Sequence, residues 1–370
     1  MAEQKWYVVE DAGRVESPGL IFYEDRLREN IRLLLGMIND VNRLRPHVKT
    51  HKSAHVTRLM LEAGIRKFKC ATIAEAEMLG DCAAPDVLLA YQPVGPNIQR
   101  ILELQEEFPD TKFSCLVDNS ATSASLAAAA KRHGKSLAVY IDVNVGMNRS
   151  GIVPGKVMDL YAALSGFDTL RIQGLHAYDG HIHDSDYALR TELAQVITST
   201  LLELKSQIEA SYGTQAIIIA GGSPTFPVYS QVEAFECSPG TFVLWDQGYQ
   251  DAFEEQAFVP AALVLSRVVS LPTDNLICTD LGHKAIASEN TLDKRVRFLN
   301  APDLKPVSHS EEHLVLDAGA GHRFRIGDVL YGLPYHVCPT VALYENAWCV
   351  STIRPPQIWP ISSRKRKLTI

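Results

Sequence analysis

Long hydrophobic runs are absent from the sequence. No stretch approaches the ~18 uninterrupted apolar residues that a membrane-spanning helix needs. The opening MAEQKWYVVEDAGRVESPG lacks the apolar segment of a secretory signal peptide. Cysteine is also sparse, and seven residues, an odd number in a long chain, do not form a disulfide framework. We therefore expect a cytoplasmic protein with no membrane partner, in which thiols such as Cys70 and Cys115 are reduced and buried.

An excess of positive charge is missing as well. The 36 Lys and Arg residues are outnumbered by 43 Asp and Glu residues, which gives a net charge of −7. This balance disfavours a nucleic-acid partner. The composition, 46% hydrophobic and 21% charged, is that of an ordinary globular protein. The basic octet RPHVKTHK at residues 45–52 therefore needs a local explanation.

Short β-rich runs alternate with amphipathic helical segments over most of the chain. Such alternation is typical of βαβ units and a parallel sheet. Eight strand candidates fit a closed (β/α)8 barrel, which is typically about 250 residues long, better than an open sheet. The candidates are residues 44–49, 67–72, 87–92, 112–117, 137–143, 171–178, 216–222 and 234–239.

The pattern changes after about residue 255. Runs such as ALVLSRVVSL, HLVLDAG and DVLYGLPYHVC are β-branched and closely spaced, with no good helix between them. We expect an α/β protein in which a TIM-type (β/α)8 barrel over residues 18–255 is followed by an all-β domain over residues 256–370. The opening WYVVED predicts one more strand of that domain, within about residues 1–17.

Polar motifs lie at the ends of several predicted strands. The chemistry of a (β/α)8 barrel gathers at the carboxyl ends of its strands, in the loops that follow them. We therefore expect these motifs to converge. They are RPHVKTHK after the first strand, GMNRSG (146–151) after the fifth, YDGHIHD after the sixth, GGSPT (221–225) after the seventh and SPGT (238–241) after the eighth.

Lys49 is the candidate nucleophile of the octet. A lysine that is desolvated or placed near other cations loses its proton and becomes an amine nucleophile for a carbonyl. His47, His51, Lys52 and Arg45 supply such neighbours. The octet alone also permits an ordinary solvated loop lysine.

GGSPT and SPGT offer glycines for close backbone approach together with hydroxyl groups. Barrels often bind phosphate in the loops after strands seven and eight, where these motifs lie, although the same residues also form ordinary turns. Together with an amine, the loops suggest an aldehyde cofactor that carries a phosphate, namely pyridoxal phosphate. Arg149 in GMNRSG is either an anion ligand near the barrel mouth or an exposed turn residue.

His336 and Cys338 form an H-x-C pair in PYHVCPT. On a β-strand, such residues project to the same face and reach one ion. Imidazole with thiolate suits zinc best. A core cysteine beside a hydrogen-bonded histidine is the alternative.

Other histidines are weaker candidates. His309 and His313 have a metal-like spacing but no helix to align them. His181 and His183 are candidates for acid–base work, because imidazole has an intrinsic pKa of about 6.5. A polar loop cluster would also account for this second pair.

RPHVKTHK, GMNRSG and GLHAYDGH at the first, fifth and sixth strand ends resemble the D-threonine aldolase and D-serine dehydratase family. These are alanine racemase-like, fold type III pyridoxal phosphate enzymes, and the resemblance spans about residues 18–350. It implies that Lys49 carries pyridoxal as a Schiff base and that Arg149 lies near the ring oxygen. The residues implied to surround the phosphate are Tyr178, Gly222, Ser223, Thr225, Gly240 and Thr241.

The sequence departs from the alanine racemase pattern at one position, and the family resemblance also implies a metal site. Ser238 stands where alanine racemases place an arginine against the ring nitrogen, which disfavours a fully developed quinonoid and favours rapid expulsion of a group. The family also binds a divalent metal through a matching His-x-Asp or His-x-Cys pair. At His336 and Cys338 this metal would be zinc or manganese, with magnesium or cobalt as alternatives, and it would acidify the substrate β-hydroxyl. A homodimer is implied as well.

Two reactions remain open. His336-x-Cys338 and VKTHK resemble the D-serine dehydratases, whereas AYDGH and Gly282-x-Lys284 resemble the aldolases. We favour a D-threonine aldolase-type lyase that cleaves D-3-hydroxy amino acids to glycine and an aldehyde, with Lys49, His181 and Lys284 as catalytic residues. The alternative is a D-serine or D-3-hydroxyaspartate dehydratase that releases ammonia, and a more remote one is a non-catalytic pyridoxal phosphate-binding homeostasis protein.

Overall fold

The computed structural model of the chain describes residues 5–370. Two compact units make up these residues. The barrel unit comprises residues 34–49, 54–240 and 365–370, and the sheet unit comprises residues 5–33, 50–53 and 241–364.

β1 (Gly19–Tyr23) and α1 (Glu24–Gly36) precede the barrel in the chain. Seven parallel strands of the barrel unit then pair in chain order, each with the next. These strands are β2 (Lys67–Cys70), β3 (Asp86–Leu89), β4 (Lys112–Val117), β5 (Leu137–Asp142), β6 (Leu170–Ala177), β7 (Ile217–Ala220) and β8 (Phe235–Cys237). The helices of this unit are α2 (Ala54–Glu62), α3 (Ile73–Asp81), α4 (Pro96–Glu107), α5 (Ser120–Arg132), α6 (Val157–Leu164), α7 (Tyr187–Tyr212) and α8 (Phe226–Tyr229).

An extended segment at residues 44–48 takes the place of the eighth strand. Its backbone pairs with β8 through a Leu44–Cys237 bridge and with β2 through a His47–Lys69 bridge, both parallel. The regular strand predicted at residues 44–49 does not form, because Pro46 has no N–H to donate to a ladder. The barrel is nevertheless closed, and the predicted fold class is confirmed.

Side-chain caps begin several barrel helices. Thr72 accepts a hydrogen bond from Glu75 N at the start of α3, and the Glu75 carboxylate accepts one from Ala71 N, the residue before the cap. Asn119 caps α5 and Asp186 caps α7 in the same way. These short polar residues stop each helix from extending back into the preceding loop, so the loops at the strand ends keep defined lengths.

Charged side chains fill one layer of the barrel interior. Arg45, 0% exposed, donates to Glu236 at 2.8 Å and to Asp86 at 2.6 Å, and Lys67 also pairs with Glu236. The two carboxylates raise the pKa of Arg45 against the effect of burial. The neighbouring apolar layer contains Leu88, Leu116, Tyr140 and Ile219. The cation is therefore buried together with the counter-charges that it needs.

The sheet unit contains one nine-stranded sheet. Its central strands run in the order β13 (Leu314–Asp317), β10 (Leu276–Thr279), β9 (Ala262–Thr273), β1 and β15 (Asn346–Val350). Among these neighbours only the β1–β15 pair is parallel. Two apolar clusters form the core, one around Val264, Ile277 and Leu316 and the other around Ile21 and Leu263. The later elements are β9 (Ala262–Thr273), β10 (Leu276–Thr279), β11 (Val296–Phe298), β12 (Lys305–His309), β13 (Leu314–Asp317), β14 (Val329–Pro334), β15 (Asn346–Val350), β16 (Gln357–Pro360), α9 (Gln247–Ala252) and α10 (Val337–Ala342).

The units differ from the expected domains at both edges. The last segment of the sheet unit begins at Thr241, whereas the predicted boundary between the barrel and the all-β domain lies at residue 255. The sheet unit also contains most of α1, which was expected to belong to the barrel. The strand predicted in WYVVED does not form within residues 5–17, because side chains satisfy its backbone. Tyr331 Oη accepts from Val9 N at 3.1 Å, and Tyr23 Oη donates to Tyr7 O at 2.6 Å. Residues 1–4 of that predicted stretch lie outside the described residues.

All seven cysteines are free thiols, and six of them are buried. Cys70 and Cys115 are among the buried thiols, as expected. Within residues 5–370, no helix is both long enough and apolar enough to cross a membrane.

The buried guanidinium of Arg45 predicts a strong dependence of stability on this side chain. Arg45→Met should lower the free energy of unfolding by about 3 kcal/mol, because Glu236 and Asp86 lose their buried partner. Urea denaturation followed by circular dichroism measures the change. The control is Arg32→Met, which removes an exposed arginine paired with Glu29 and should alter stability little. Equal effects of the two substitutions would contradict this account.

Candidate active site

The predicted loops gather at the carboxyl ends of the barrel strands. Lys49 follows the closing segment, Arg149 lies in the loop after β5, and Tyr178 directly follows β6. Parallel strands deliver their carboxyl ends to the same rim of the barrel. Side chains that are far apart in sequence are therefore brought together here.

Lys49 and Arg149 meet on one aromatic ring. The Lys49 Nζ atom lies 5.7 Å from the centre of the Tyr178 ring, and the Arg149 guanidinium lies 5.1 Å from it. The ring is held closely in place, because a Cβ added to Gly180 would approach it to 2.4 Å and one added to Gly222 to 3.1 Å. Three residues predicted at separate strand ends thus share one location.

The loops after β7 and β8 are tied to each other. Gly240 N donates to Ser223 Oγ at 3.1 Å. Thr225 Oγ1 donates to the buried carboxylate of Asp179 at 3.1 Å, and burial raises the pKa of Asp179. Gly221 adopts a φ of +73°, a conformation that favours glycine. Both loops are therefore pre-formed rather than open coil.

Ser238, which the resemblance places near the ring nitrogen of the cofactor, provides a test of whether a polar ligand fits beside these loops. Its Oγ is buried, and it has no hydrogen-bond partner within residues 5–370. A buried hydroxyl without a partner is costly unless a ligand completes it. Together with the amine of Lys49 and the backbone of the two loops, this hydroxyl fits the polar surroundings that pyridoxal phosphate requires.

His336 and Cys338 do not lie on a strand. β14 ends at Pro334, and His336 is the residue that caps the start of α10. The strand geometry predicted for this pair is therefore wrong, because a helix already begins at Val337, directly after His336. The two side chains nevertheless lie close enough to interact, since, against the lowering effect of burial, the thiol of Cys338 raises the pKa of His336.

The surroundings of the His–Cys pair are polar and partly buried. Cys338 Sγ lies 3.2 Å from Oγ1 of Thr50, the residue that follows Lys49 in the chain, and 3.7 Å from Oγ1 of Thr241. Thr241, which the resemblance assigned to the phosphate, thus contacts the thiol within the sheet unit. No group of three or more His, Cys, Asp or Glu side chains in the described part of the chain has a metal-binding arrangement.

Two acidic residues that the sequence analysis missed support this pair. Glu289 contacts Nδ1 of His336, and Asp246 accepts from Val337 N at 2.9 Å while it also caps α9. Burial lowers the pKa of His336, but its contacts with Cys338 and Glu289 outweigh burial and raise it to about 9. Neither acid has a local sequence signature, because each reaches the pair from a separate loop.

The remaining candidates fall in different places. His181 lies against the loop that carries Arg149, since a Cβ on Gly146 would approach its Nε2 to 2.7 Å. Lys284, by contrast, is 56% exposed and pairs with Glu311 at 2.6 Å and Glu312 at 3.1 Å. The catalytic role expected for Lys284 has no support in this geometry, because its charge is already matched at the surface.

The predicted histidine spacing at residues 309–313 is not a metal site in this structure. Both ring nitrogens of His309 are engaged, one with Arg295 at 2.9 Å and the other with the carbonyl of Leu281 at 3.0 Å. The histidine therefore braces the loop around Leu281.

A cleft of about 640 Å³ lies beside Trp6 and Arg26 in the sheet unit, and none of the predicted site residues lines it.

A buried polar chain inside the barrel was not predicted. Lys69 Nζ lies 3.4 Å from His176 Nε2, and His176 Nδ1 lies 2.7 Å from Asp142 Oδ1. Burial, followed by the positive charge of Lys49, lowers the pKa of Lys69 to about 7. Sequence reasoning had one usable signal, the alternation in KFKC that places Lys67 and Lys69 on the same face of β2.

Two family models match the chain. The model described as the alanine racemase N-terminal domain matches residues 23–246, and a serine dehydratase domain model matches residues 261–350. D-threonine aldolase of Arthrobacter sp. is 27% identical over 367 residues, which cover 95% of this chain and 93% of the relative.

Solved structures share the fold. D-threonine aldolase from Filomicrobium marinum superposes with a TM-score of 0.85 at 24% identity and covers 95% of this chain and 96% of that chain. A cysteine-to-alanine mutant of D-threo-3-hydroxyaspartate dehydratase in the metal-free form gives a TM-score of 0.81 at 22% identity, over 94% of this chain and 97% of that chain. At these identities the likeness establishes the fold alone.

Proposed function

Since the chain belongs to the family of the alanine racemase N-terminal domain, we propose that it is a lyase of D-3-hydroxy amino acids that depends on pyridoxal phosphate and a divalent metal. The observation that carries the proposal is the convergence of Lys49 and Arg149 on the ring of Tyr178. An amine nucleophile and an anion-binding guanidinium are the two groups that a phosphorylated aromatic aldehyde needs first.

Residues of the barrel unit would hold the cofactor. Lys49 would bind its aldehyde carbon covalently, and Arg149 would hydrogen-bond its anionic ring oxygen. The phosphate would lie against the tied loops after β7 and β8, where Gly240 N is bonded to Ser223 Oγ, and the hydroxyl of Ser238 would lie near the ring nitrogen. When bound, pyridoxal phosphate supplies an electron sink for the bond that is broken at the substrate Cα.

A metal would be held by His336 and Cys338. Imidazole and thiolate together suit zinc, and manganese, magnesium and cobalt are alternatives. Glu289 contacts Nδ1 of His336 and therefore leaves Nε2 for a metal, the usual arrangement in which a carboxylate orients a ligating histidine. With two protein ligands, the remaining positions would accept water and the substrate β-hydroxyl.

Aldol cleavage is the favoured reaction. The AYDGH motif places His181 beside the loop of Arg149, where a neutral imidazole can accept the proton of a β-hydroxyl group. The similarity to a D-threonine aldolase supports the same reaction. The Gly282-x-Lys284 motif resembles the aldolases, but Lys284 itself lies in a surface ion pair with Glu311 and Glu312 and adds no support for aldol cleavage.

Dehydration is the second candidate, and the His336-x-Cys338 pair favours it. In that reaction Lys49 would remove the α-proton before the hydroxyl group leaves, and the product would hydrolyse to a 2-keto acid and ammonia. We also propose that the protein is cytoplasmic, as expected from its sequence, and that it forms a homodimer, as the family resemblance implies.

Lys49→Ala should abolish covalent capture of pyridoxal phosphate. The reconstituted protein should show visible absorbance from the bound cofactor, and the variant should show none, because no other residue is proposed to bind the aldehyde. The matched control is Lys284→Ala, a surface lysine whose loss should leave both absorbance and activity unchanged. Undiminished absorbance in Lys49→Ala would remove the basis of the proposal.

Cys338→Ala should remove bound metal. Metal analysis after dialysis should find about one zinc per chain in the parent protein and little in the variant, since one of the two protein ligands is lost. Glu289→Gln should weaken zinc affinity by about 10- to 100-fold through His336. Glu312→Gln, which changes an exposed carboxylate paired with Lys284, is the control and should not alter affinity. Unchanged zinc content in Cys338→Ala would argue against the metal site.

Product identification separates the two reactions. Incubation of the metal-loaded enzyme with D-threonine should yield acetaldehyde and glycine in equal amounts. If 2-oxobutyrate and ammonia accumulate instead, the protein is a dehydratase. If neither pair forms from D-threonine, D-serine or 3-hydroxy-D-aspartate, and chelation of the metal changes nothing, the non-catalytic binder is favoured.

A further inference from the structure

The loop that carries Arg149 is closed at its base. Val143 and Ile152 form a parallel bridge there, and Asn144 N donates to Ile152 O at 2.9 Å. Within the loop, Asn144 Oδ1 accepts a hydrogen bond from Asn148 N at 3.1 Å. These contacts restrict the positions from which the Arg149 side chain can leave the backbone.

The two residues that follow Arg149 are each bound to a carboxylate from a neighbouring strand end. Ser150 Oγ donates to Asp142 Oδ2 at 2.9 Å, and Gly151 N donates to Asp118 Oδ2 at 3.2 Å. Asp142 is the last residue of β5, and Asp118 directly follows β4. The loop is therefore anchored to two barrel strands immediately after the arginine.

Gln92 links these two carboxylates. Its Nε2 lies 2.9 Å from Oδ2 of Asp118 and 2.9 Å from Oδ2 of Asp142, which are the same two oxygens that bind the loop. The amide nitrogen has two hydrogens, so one side chain donates to both acceptors. Without this donor, the two carboxylates would share a site with no group between them and would repel each other.

Asp142 is held in its ionised form. The side chain is 4% exposed, and its Oδ1 lies 2.7 Å from His176 Nδ1. Burial raises the pKa of Asp142, but its hydrogen bonds, led by that of His176, outweigh burial and keep it below its usual value. Near neutral pH the carboxylate therefore serves as an acceptor for both Gln92 and Ser150.

The carboxylates bind the loop and not the guanidinium of Arg149. Within residues 5–370 this guanidinium forms no ion pair with an acid, and it lies 5.1 Å from the centre of the Tyr178 ring. Its charge is therefore left for an anion that comes from outside the protein. Because the loop is already fixed, less freedom is lost when such an anion binds.

We propose that Gln92 and Asp118 are positioning residues that hold Arg149 where it binds an anionic ring oxygen. Gln92 keeps Asp118 and Asp142 together, and the two carboxylates fix the residues directly after the arginine. Neither Gln92 nor Asp118 is expected to contact the anion itself. The inference rests on the proposed function, because the anion in question is the ring oxygen of pyridoxal phosphate.

The first test measures the loop in cofactor-free protein. Gln92→Met removes both donors and keeps the length of the side chain. Peptides that cover residues 144–152 should then exchange their amide hydrogens about tenfold faster, as expected when a hydrogen bond to a charged group is weakened. Mass spectrometry of peptic peptides gives the rates. Equal exchange in the parent protein and in Gln92→Met would overturn the inference.

Gln207→Met is the matched control. Gln207 is an exposed glutamine of α7 that also donates to a carboxylate, that of Glu203 at 3.2 Å. Its replacement should leave exchange in residues 144–152 unchanged. Asp118→Ala is the second variant, and it should speed exchange as Gln92→Met does, because Gly151 N loses its acceptor. Faster exchange in Gln207→Met as well, or none in Asp118→Ala, would contradict the assigned roles.

A double-mutant cycle on the affinity for pyridoxal phosphate shows whether Gln92 acts through Arg149. Titration followed by the visible absorbance of the bound cofactor gives the affinity. Gln92→Met should weaken it by about tenfold in the parent protein and should change it little in protein that already carries Arg149→Met. A role in packing alone would weaken binding by the same factor in both backgrounds, and that result would reject the inference.

The two measurements separate the inference from the proposed function. If exchange in the loop rises in Gln92→Met but even the parent protein captures no pyridoxal phosphate, the brace on the loop stands, whereas the proposed function, and with it the identity of the anion, fails. If the parent captures the cofactor and Gln92→Met binds it equally tightly, the proposed function stands and the inference fails.

Discussion

The segment at residues 44–48 closes the barrel without being a regular strand, and the candidate site depends on it. Its N–H groups donate to β8 on one side and to β2 on the other, with Arg45 N bound to Cys237 O at 2.9 Å and Val48 N to Lys69 O at 2.9 Å. Pro46 prevents a continuous ladder, so pairing is limited to single bridges. Those bridges fix the backbone positions of Lys69 on β2 and of Lys49 directly after the segment.

Burial of charge is the second constraint, and it follows from the first. A closed eight-membered barrel has an interior just wide enough to be filled by side chains. Here one layer is built from Arg45, Lys67, Asp86 and Glu236, in which each cation faces a carboxylate. The Lys69 layer lacks such a match, because His176 lies between the amine and Asp142. One layer therefore contributes to structure, and the next leaves an amine that changes its protonation state easily.

Much of the fold, and the grouping of residues at the candidate site, followed from sequence patterns. Strand–helix alternation predicted the barrel, and the strand-end rule placed Lys49, Arg149 and Tyr178 together, because parallel strands deliver their ends to one rim. Predictions from local sequence failed where contacts with residues distant in sequence determine the structure. WYVVED is not a strand, since tyrosine side chains satisfy its backbone, and Lys284 is a surface residue, since two glutamates match its charge.

The residues that sequence reasoning missed share a physical cause. Lys69, Asp142 and Glu289 act through partners that are distant in sequence, and hydropathy assigns each of them to the surface. A buried ionisable residue becomes visible only when its neighbours are known, because the partner decides whether its charge is retained or lost. Asp142 keeps its charge through hydrogen bonds from His176, Gln92 and Ser150, whereas Lys69 has only an imidazole acceptor. The two buried groups therefore differ: hydrogen bonds outweigh burial and keep the pKa of the Asp142 carboxyl below its usual value, whereas burial lowers the pKa of the Lys69 amine to about 7. A lysine in this part of the barrel interior loses its proton more easily than one in water.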